Sequence, residues 1–372
     1  MVERAAQARH VAIDTGGTFT DLCTSDGRRI KVPSNPSNPS AAVLGALAQL
    51  GDADTLQDIR HGTTVATNAV LERRGARVVL IATQGFGDVL ALRRQARPDL
   101  YALHPSVPPP LIPQQDVVEV AGRLNAEGRE LDPLEPLDAW VNRNRPVLAR
   151  AEAFAVCLLH AYANGAHEAA VAAQLGAIFP DVPVVTSHGL IPLDREYERT
   201  STTAVNAFVT PVMASYLGEL ERSVAPARLL VMGSAGGLMS AAAARTAPVH
   251  TVLSGPAGGV RGAWAAGQRC GRDALLTLDM GGTSTDVSVV YGELLPEDDG
   301  SIGDHPLRIP LLPIETVGAG GGSIAYRDAA GALKVGPRSA GADPGPAAYG
   351  RAGPDAEPTV TDANGVLERL PQ

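Results

Sequence analysis

Eight residues recur along this 372-residue chain, as DTGGTFTD from Asp14 to Asp21 and as DMGGTSTD from Asp279 to Asp286, an offset of 265 positions (279 minus 14). Six of the eight positions agree: the leading Asp, both Gly, two Thr and the closing Asp. These residue types in this order suit the binding of an anion beside a cation. Adjacent glycines let successive backbone N–H groups converge where a Cβ would interfere, and Thr hydroxyls add donors to the nest. A leading carboxylate at a strand end can hold hydrated Mg²⁺ against the same phosphates, because Mg²⁺ takes one or two carboxylates and completes its shell with water and phosphate oxygens. Two such turns could face each other across one nucleotide.

The flanks show how the phrases are positioned. Val11-Ala12-Ile13 precedes the first and Leu22-Cys23 follows it; Ala274 to Leu278 precedes the second and Val287 to Tyr291 follows it. Each phrase therefore reads as a tight turn joining two strands. A Gly-Gly-Thr turn alone is ordinary hairpin chemistry, but matching phrases with matching flanks point to two phosphate-binding hairpins of a duplicated fold.

Between them the chain alternates helical and strand patterns, as in an α/β protein. Helices are predicted over Ser40–Leu50 behind a Ser cap and over TTVATNAVLERRG, from Thr63 to Gly75. Strands are predicted at Val78–Ile81, Phe154–Leu159 and Val182–Thr186, with the Pro-rich stretch His104–Pro113 as a surface connection. A long helix is expected over Asp194–Val224, kinked or divided by Pro211, and a domain boundary near residue 190. Leu229–Met232 opens a second α/β unit. SGPAGGVRGAWAAG, from Ser254 to Gly267, starts a helix whose first N–H groups are available to an anion. VGAGGGSIAY, from Val317 to Tyr326, is a further Gly-rich turn; taken alone it is more often structural than ligand-binding, and it lacks GxGxxG spacing.

Other residues have a bland reading beside the chemical one. Thr63 and Thr64 stand where helix N–H groups and hydroxyls could bind a substrate carbonyl or carboxylate, or simply cap the helix. His61 reads as a core histidine behind the site rather than a base. Arg195, Glu196 and Arg199 read equally as a solvated salt-bridge face or a substrate clamp.

A net charge of −9 and a pI near 5.4 argue against nucleic acid as a partner. Lys31 and Lys334 are the sole lysines and neither lies in a GxxxxGK[ST] phrase, which excludes a P-loop and disfavours Schiff-base chemistry. Cys23, Cys157 and Cys270 are odd in number and apolar in context, as for reduced core thiols. The amino-terminal residues, Glu3, Arg4 and Arg9 among them, precede a short strand with no apolar run long enough for a leader or a membrane span, so a cytoplasmic protein is expected. No cluster of His and carboxylates has transition-metal spacing.

VAIDTGGTFTDL, RHGTTVATNAVLERRG, REYERTSTTAVNAF, SGPAGGV, LDMGGTSTDVS, TVGAGGGSIA and VGPRSAGADPGPAAYG, collinear from about Val11 to Leu370, resemble the hydantoinase A/oxoprolinase family, which includes the A subunits of ATP-dependent hydantoinases and of acetone or acetophenone carboxylases. The resemblance implies an actin/hexokinase/Hsp70-like fold of two α/β domains with mixed sheets, closing on Mg-ATP, here over residues 1–190 and 191–372, the second domain truncated. It implies ATP-driven phosphorylation of a cyclic amide (hydantoin, lactam, 5-oxoproline-like) or enolate oxygen, which activates it for hydrolysis or carboxylation. The substrate would be a cyclic amide or ketone-like molecule, with a hydantoinase B-type partner and a possible homo-oligomer, and without membrane or nucleic acid.

On this reading Asp14 and Asp279 are the catalytic and Mg²⁺-bearing carboxylates. Thr15, Gly16, Gly17, Thr18 and Thr20 cradle one side of the triphosphate, and Gly281, Gly282, Thr283 and Ser284 the other. Gly255, Gly258, Gly259, Gly320 and Gly321 approach the same nucleotide, while Thr63, Thr64 and Asn68 contact the substrate. Asp21 and Asp286 lock their own hairpins. Two departures stand out. MGSAGG replaces the family's usual MQSNGG, leaving Gly233 and Ala235 where polar side chains are usual, and no FGGAGPLHA-like adenosine turn occurs. A small-molecule kinase of the same fold and a non-catalytic assembly protein are the alternatives. With the two loops in separate domains, compaction on binding Mg-ATP is expected.

Overall fold

A computed structural model describes residues 9–35, 38–51, 56–95, 100–104, 107–341 and 344–370; Glu3 and Arg4 lie outside the described residues. The chain is mixed α/β with several sheets. Its internal contacts define two compact units that interleave along the sequence. The first holds residues 1–62, 253–296 and 312–372, and the second holds 63–252 and 297–311. The division expected near residue 190 therefore falls inside the second unit. The cause is the long helix Glu196–Ser223, which packs on strands Val78–Thr83 and Ala153–Cys157 and so ties residues on both sides of 190 to one sheet. Both repeated phrases lie in the first unit.

In the first unit, strands Leu56–Thr63, Arg9–Thr15, Phe19–Thr24 and Arg29–Pro33 lie side by side in that order. The alternating burial of Phe19–Thr24, with Leu22 inside and Asp21 and Cys23 outside, marks a sheet covered on one face. Helix Pro39–Ala48 packs on its last three strands through Ala42, Val43, Ala46 and Leu47. The helix begins one residue before Ser40, and its cap is Asn38, whose Oδ1 accepts from the Ala41 N–H at 3.2 Å, with Pro39 preset for the first helical position. A second antiparallel sheet, Ala274–Met280, Thr285–Tyr291 and Glu315–Val317, packs one face on helix Ser254–Arg269 through Ala257, Val260, Val290 and Leu275.

The second unit is built on a four-stranded parallel sheet in the order Val184–Thr186, Ala153–Cys157, Val78–Thr83, Val117–Val120. Strands buried on both faces read as continuous apolar runs, and Val78–Thr83 is buried at every position. Helices Leu137–Leu148 and Ala166–Ile178 close its core around Trp140, Phe154, Val171 and Leu175, each side chain worth about 1.5–3 kcal/mol in transfer from water. Trp140 resolves its one polar atom by donating Nε1–H to the Glu119 carbonyl at 2.8 Å.

Several predicted elements change at their ends. The helix opening at Thr63-Thr64 spans only Val65–Leu71, because Arg73 adopts φ +54° and Gly75 is pressed against Phe208, where a Cβ would lie 2.4 Å from the ring. Helix Glu196–Ser223 runs through Pro211 without division, held by burial along most of its first half. Cys157 is buried, as predicted, and burial pushes its thiol up to about 12, leaving it inert; Cys23 and Cys270, expected in the core, are exposed. Cys23 points to the uncovered face of its strand, where alternation overrides the apolar neighbours. Among the described residues, no helix is long and apolar enough to cross a membrane.

Candidate functional site

The two phrases fold into the same turn. In the first, Asp14 pairs with Asp21 and Thr15 with Thr20 across the strands, and the Gly16 N–H donates to the Phe19 carbonyl at 3.0 Å. In the second, Asp279 pairs with Asp286 and Met280 with Thr285, and the Gly281 N–H donates to the Ser284 carbonyl at 2.9 Å. Donor and acceptor are both displaced by the repeat offset. In each copy this bond closes the turn and leaves the next two N–H groups pointing out of it. Among the described residues, the N–H groups of Gly17, Thr18, Gly282 and Thr283 have no protein acceptor. A Cβ on Gly282 would lie 3.7 Å from the Thr18 hydroxyl, so the two turns approach each other at their glycine tips within one unit.

The aspartates converge on the start of helix Ser254–Arg269. A Cβ on Gly255 would lie 3.3 Å from Asp14 Oδ1, and one on Gly259 would lie 3.8 Å from Asp279 Oδ2, with Gly258 in the same two turns. The helix enters from Leu253 at φ +57°, and Gly255 in its first turn brings the helix start up to Asp14. The strand of His61 and Gly62 closes the other side: a Cβ on Gly62 would stand 2.6 Å from Asp14 Oδ1. Asp14 is open to solvent on one side yet crowded on the others. Its pKa is raised first by burial and then by the negative charges of Asp21 and Asp279, with Lys31 opposing.

That crowding is what a divalent cation relieves. Among the described residues, no group of three or more His, Cys, Asp or Glu could hold a metal ion. Two carboxylates beside open N–H groups instead suit an ion that completes its shell with water and phosphate. Asp21 and Asp286 are otherwise engaged. Asp21 accepts both Lys31 Nζ contacts, at 2.8 and 2.7 Å, and Asp286 accepts from the Thr316 hydroxyl at 2.6 Å, each tying its hairpin to the third strand of its sheet.

Gly320 and Gly321 lie behind the second turn. Gly321 donates to the Gly281 carbonyl at 2.9 Å, Gly322 to the Gly282 carbonyl at 2.6 Å, and Gly320 to the Ser323 hydroxyl at 2.9 Å. Their N–H groups are engaged, so the Gly-rich loop braces the hairpin backbone. Thr63, Thr64 and Asn68 belong to the second unit. Asn68 Nδ2 donates to Thr64 Oγ1 at 3.3 Å, and Thr63 Oγ1 accepts from the Val65 N–H.

Of the Arg195, Glu196 and Arg199 group, Arg199 leaves the solvated face that Arg195 keeps. Arg199 is fully buried, donating Nη2 to the Leu158 carbonyl at 2.9 Å and to Glu196 at 2.7 Å, while Arg195 pairs with Asp299. Helical spacing gave no sign of which face met the sheet. Gly62 was also missed as a site residue, since its reason lies in the approach of Asp14 from a neighbouring strand.

His61 sits directly behind Asp14, fully buried, with Nδ1–H donating to the Ile13 carbonyl at 3.2 Å. Burial lowers its pKa to about 4, so it is neutral at pH 7 and both too weak and too enclosed to serve as a general base. The unfolded chain takes up this proton near pH 6.5 and the native chain near 4, so its contribution is complete above 6.5 and falls by about 3 kcal/mol on acidification to 4. Urea midpoints of the wild type and His61→Gln at pH 7.0 and 4.5 should show a shallower pH slope in the variant. Equal slopes would refute the assignment.

Comparison with known proteins gives the chain's family. Residues 10–179 match the hydantoinase/oxoprolinase N-terminal region and residues 199–372 match hydantoinase/oxoprolinase. The caprolactamase subunit alpha of Pseudomonas jessenii is 37% identical over 98% of this chain and 55% of its own length. The 5-oxoprolinase 1 of Arabidopsis thaliana is 36% identical over 95% of this chain and 31% of its own. Among solved structures, the ATP-dependent caprolactamase of Pseudomonas jessenii superposes with a TM-score of 0.83 at 35% identity, covering 98% of this chain and 55% of that one. A nucleotide-free acetone carboxylase, described in terms of ATP-dependent acetone carboxylation, gives 0.80 at 28% identity, covering 97% and 55%. The chain thus spans about half or less of the length of these relatives.

Proposed function

The chain belongs to the hydantoinase/oxoprolinase family, and on that premise we propose that it is the ATP-using part of an enzyme that activates a cyclic amide for hydrolysis. The observation that carries this reading is the pair of equivalent turns, each presenting two unengaged N–H groups beside a strand-end aspartate at the start of one helix. Gly17 and Thr18 on one side and Gly282 and Thr283 on the other bind the triphosphate oxygens through backbone N–H groups, and Thr18 adds its hydroxyl. Asp14 and Asp279 hold Mg²⁺ through water, and the cation supplies charge neutralisation at the transferring phosphoryl group. Phosphoryl transfer asks little covalent chemistry of the protein, so positioning and electrostatics account for most of the rate.

Transfer to the amide oxygen converts a poor electrophile into one that water can open. Thr63, Thr64 and Asn68 are proposed to hold the substrate carbonyl or carboxylate, and a B-type subunit is proposed to complete the hydrolysis, as the subunit name of the caprolactamase relative suggests. The test is ATP hydrolysis by the chain supplemented with a B-type subunit, with and without caprolactam, 5-oxoproline and hydantoin, together with product analysis. One of these should stimulate ADP release and yield the ring-opened acid. Accumulation of a stable phosphoester would instead identify a small-molecule kinase, and nucleotide-independent ring opening would contradict the proposal.

A further inference from the structure

The duplication exposes a difference between its two copies. In the first hairpin sheet, Val11, Ile13 and Thr24 are 0%, 2% and 6% exposed. They lie on the covered face, the opposite one carrying exposed Ala12, Asp21 and Cys23, and the element packed on these strands is helix Pro39–Ala48. Adding the repeat offset of 265 to those three positions gives Leu276, Leu278 and Val289, which are 71%, 66% and 70% exposed. Leu276 and Val289 are direct cross-strand partners, and Met280, Tyr291 and Val317 extend the same face with more than half of each side chain exposed. The other face of this sheet is covered by helix Ser254–Arg269, so the bare face is a second, unmatched surface.

A patch of this size on a folded domain marks a contact surface. Helix Pro39–Ala48 shows what the fold places there: small and branched apolar side chains at Ala42, Val43, Ala46 and Leu47, one stripe wide. The relatives carry a large part of their chain that this one does not span, the caprolactamase alpha subunit 45% of its length. We propose that the face of Leu276, Leu278, Met280, Val289 and Tyr291 is the seat of an apolar helix from that remaining part of the family's polypeptide. This helix does for the second hairpin what Pro39–Ala48 does for the first. By packing behind Asp279 it supports the second turn as the first is supported. The inference rests on the repeat and on family membership, not on the identity of the substrate.

The experiment is thiol labelling of Leu276→Cys, with Cys23→Ser and Cys270→Ser removing the two exposed native thiols and leaving buried Cys157. Two proteins are compared: the chain as given, and a chimera in which it replaces the equivalent 55% of the caprolactamase alpha subunit. Maleimide should react with the chain alone at the rate of a free surface thiol and about a hundredfold more slowly with the chimera, as for a site reached only through local opening. Equal rates in a chimera that melts cooperatively would overturn the proposal. The chain alone decides independently. Leu276→Thr with Val289→Thr should leave its melting temperature within about 2 °C while reducing hydrophobic dye binding, as substitution of surface side chains does. A protected thiol in the chain alone, or a wild-type dimer that this double variant dissociates, would overturn it by placing this chain itself or a second copy on the face.

Discussion

Asp14→Asn is expected to lower ATP turnover by a factor on the order of 100 or more while raising, or at least not lowering, the melting temperature at neutral pH. The two halves of this result have one cause. Burial and the charges of Asp21 and Asp279 raise the pKa of Asp14, so its ionised form is less favourable in the native fold than in the unfolded chain. A raised carboxyl pKa means that protonation favours the folded state. Stability from this group therefore grows as pH falls through the folded pKa, the reverse of a salt-bridged carboxylate. Asparagine keeps the shape and removes the charge, which relieves the repulsion and deletes the cation's ligand. Melting curves at pH 7 with and without Mg-ATP, beside turnover, would show it. A variant that loses both activity and stability would mean that Asp14 is structural.

Gly320→Ala should disturb the second turn directly. A Cβ there would lie 2.8 Å from the Gly281 carbonyl oxygen, from the Gly282 carbonyl carbon and from the Ser284 nitrogen, all backbone atoms of the second turn that cannot rotate aside. The strain should cost about 1–3 kcal/mol and shift the open N–H groups of Gly282 and Thr283, weakening nucleotide binding about tenfold or more. Gly318 in the same loop has nothing within 4 Å of a Cβ, so Gly318→Ala is the matched control and should leave both stability and affinity as they are. If the two variants behave alike, the loop does not brace the turn. Gly62 makes the contrast clear. Its close neighbour is the flexible end of Asp14, which can swing away, so the backbone there is under no comparable constraint.

Much of the site was legible because it is local. A hairpin turn is set by a few consecutive residues, and the repeat announced both turns, although the N–H groups of Gly16 and Gly281, expected in the phosphate cradle, close the turns instead. The pairing of Asp21 with Lys31 and of Asp286 with Thr316 was legible as a hairpin-locking role, though not as particular partners. Tertiary relations were not legible. Nothing near Gly320 in the sequence says that its N–H serves Ser323 while its α-carbon presses on the second turn. Helical spacing placed Arg195, Glu196 and Arg199 on one face but could not say that the face meets the parallel sheet. The boundary at 190 followed the order of elements along the chain, whereas the units are assembled by contacts between residues far apart in sequence. Leu276 and Leu278 belong to the apolar run before the second phrase and stand bare in the fold.

The central claim is that two hairpins in one unit form a single Mg-ATP site. Calorimetric titration of Mg-ATP into the chain, with Asp14→Asn and Asp279→Asn in parallel, tests it most directly. The account predicts one nucleotide per wild-type chain and no measurable binding in either variant, since each removes one of two carboxylates beside the same helix. Binding that survives in one of the folded variants, or a folded wild type that binds no nucleotide, would contradict it.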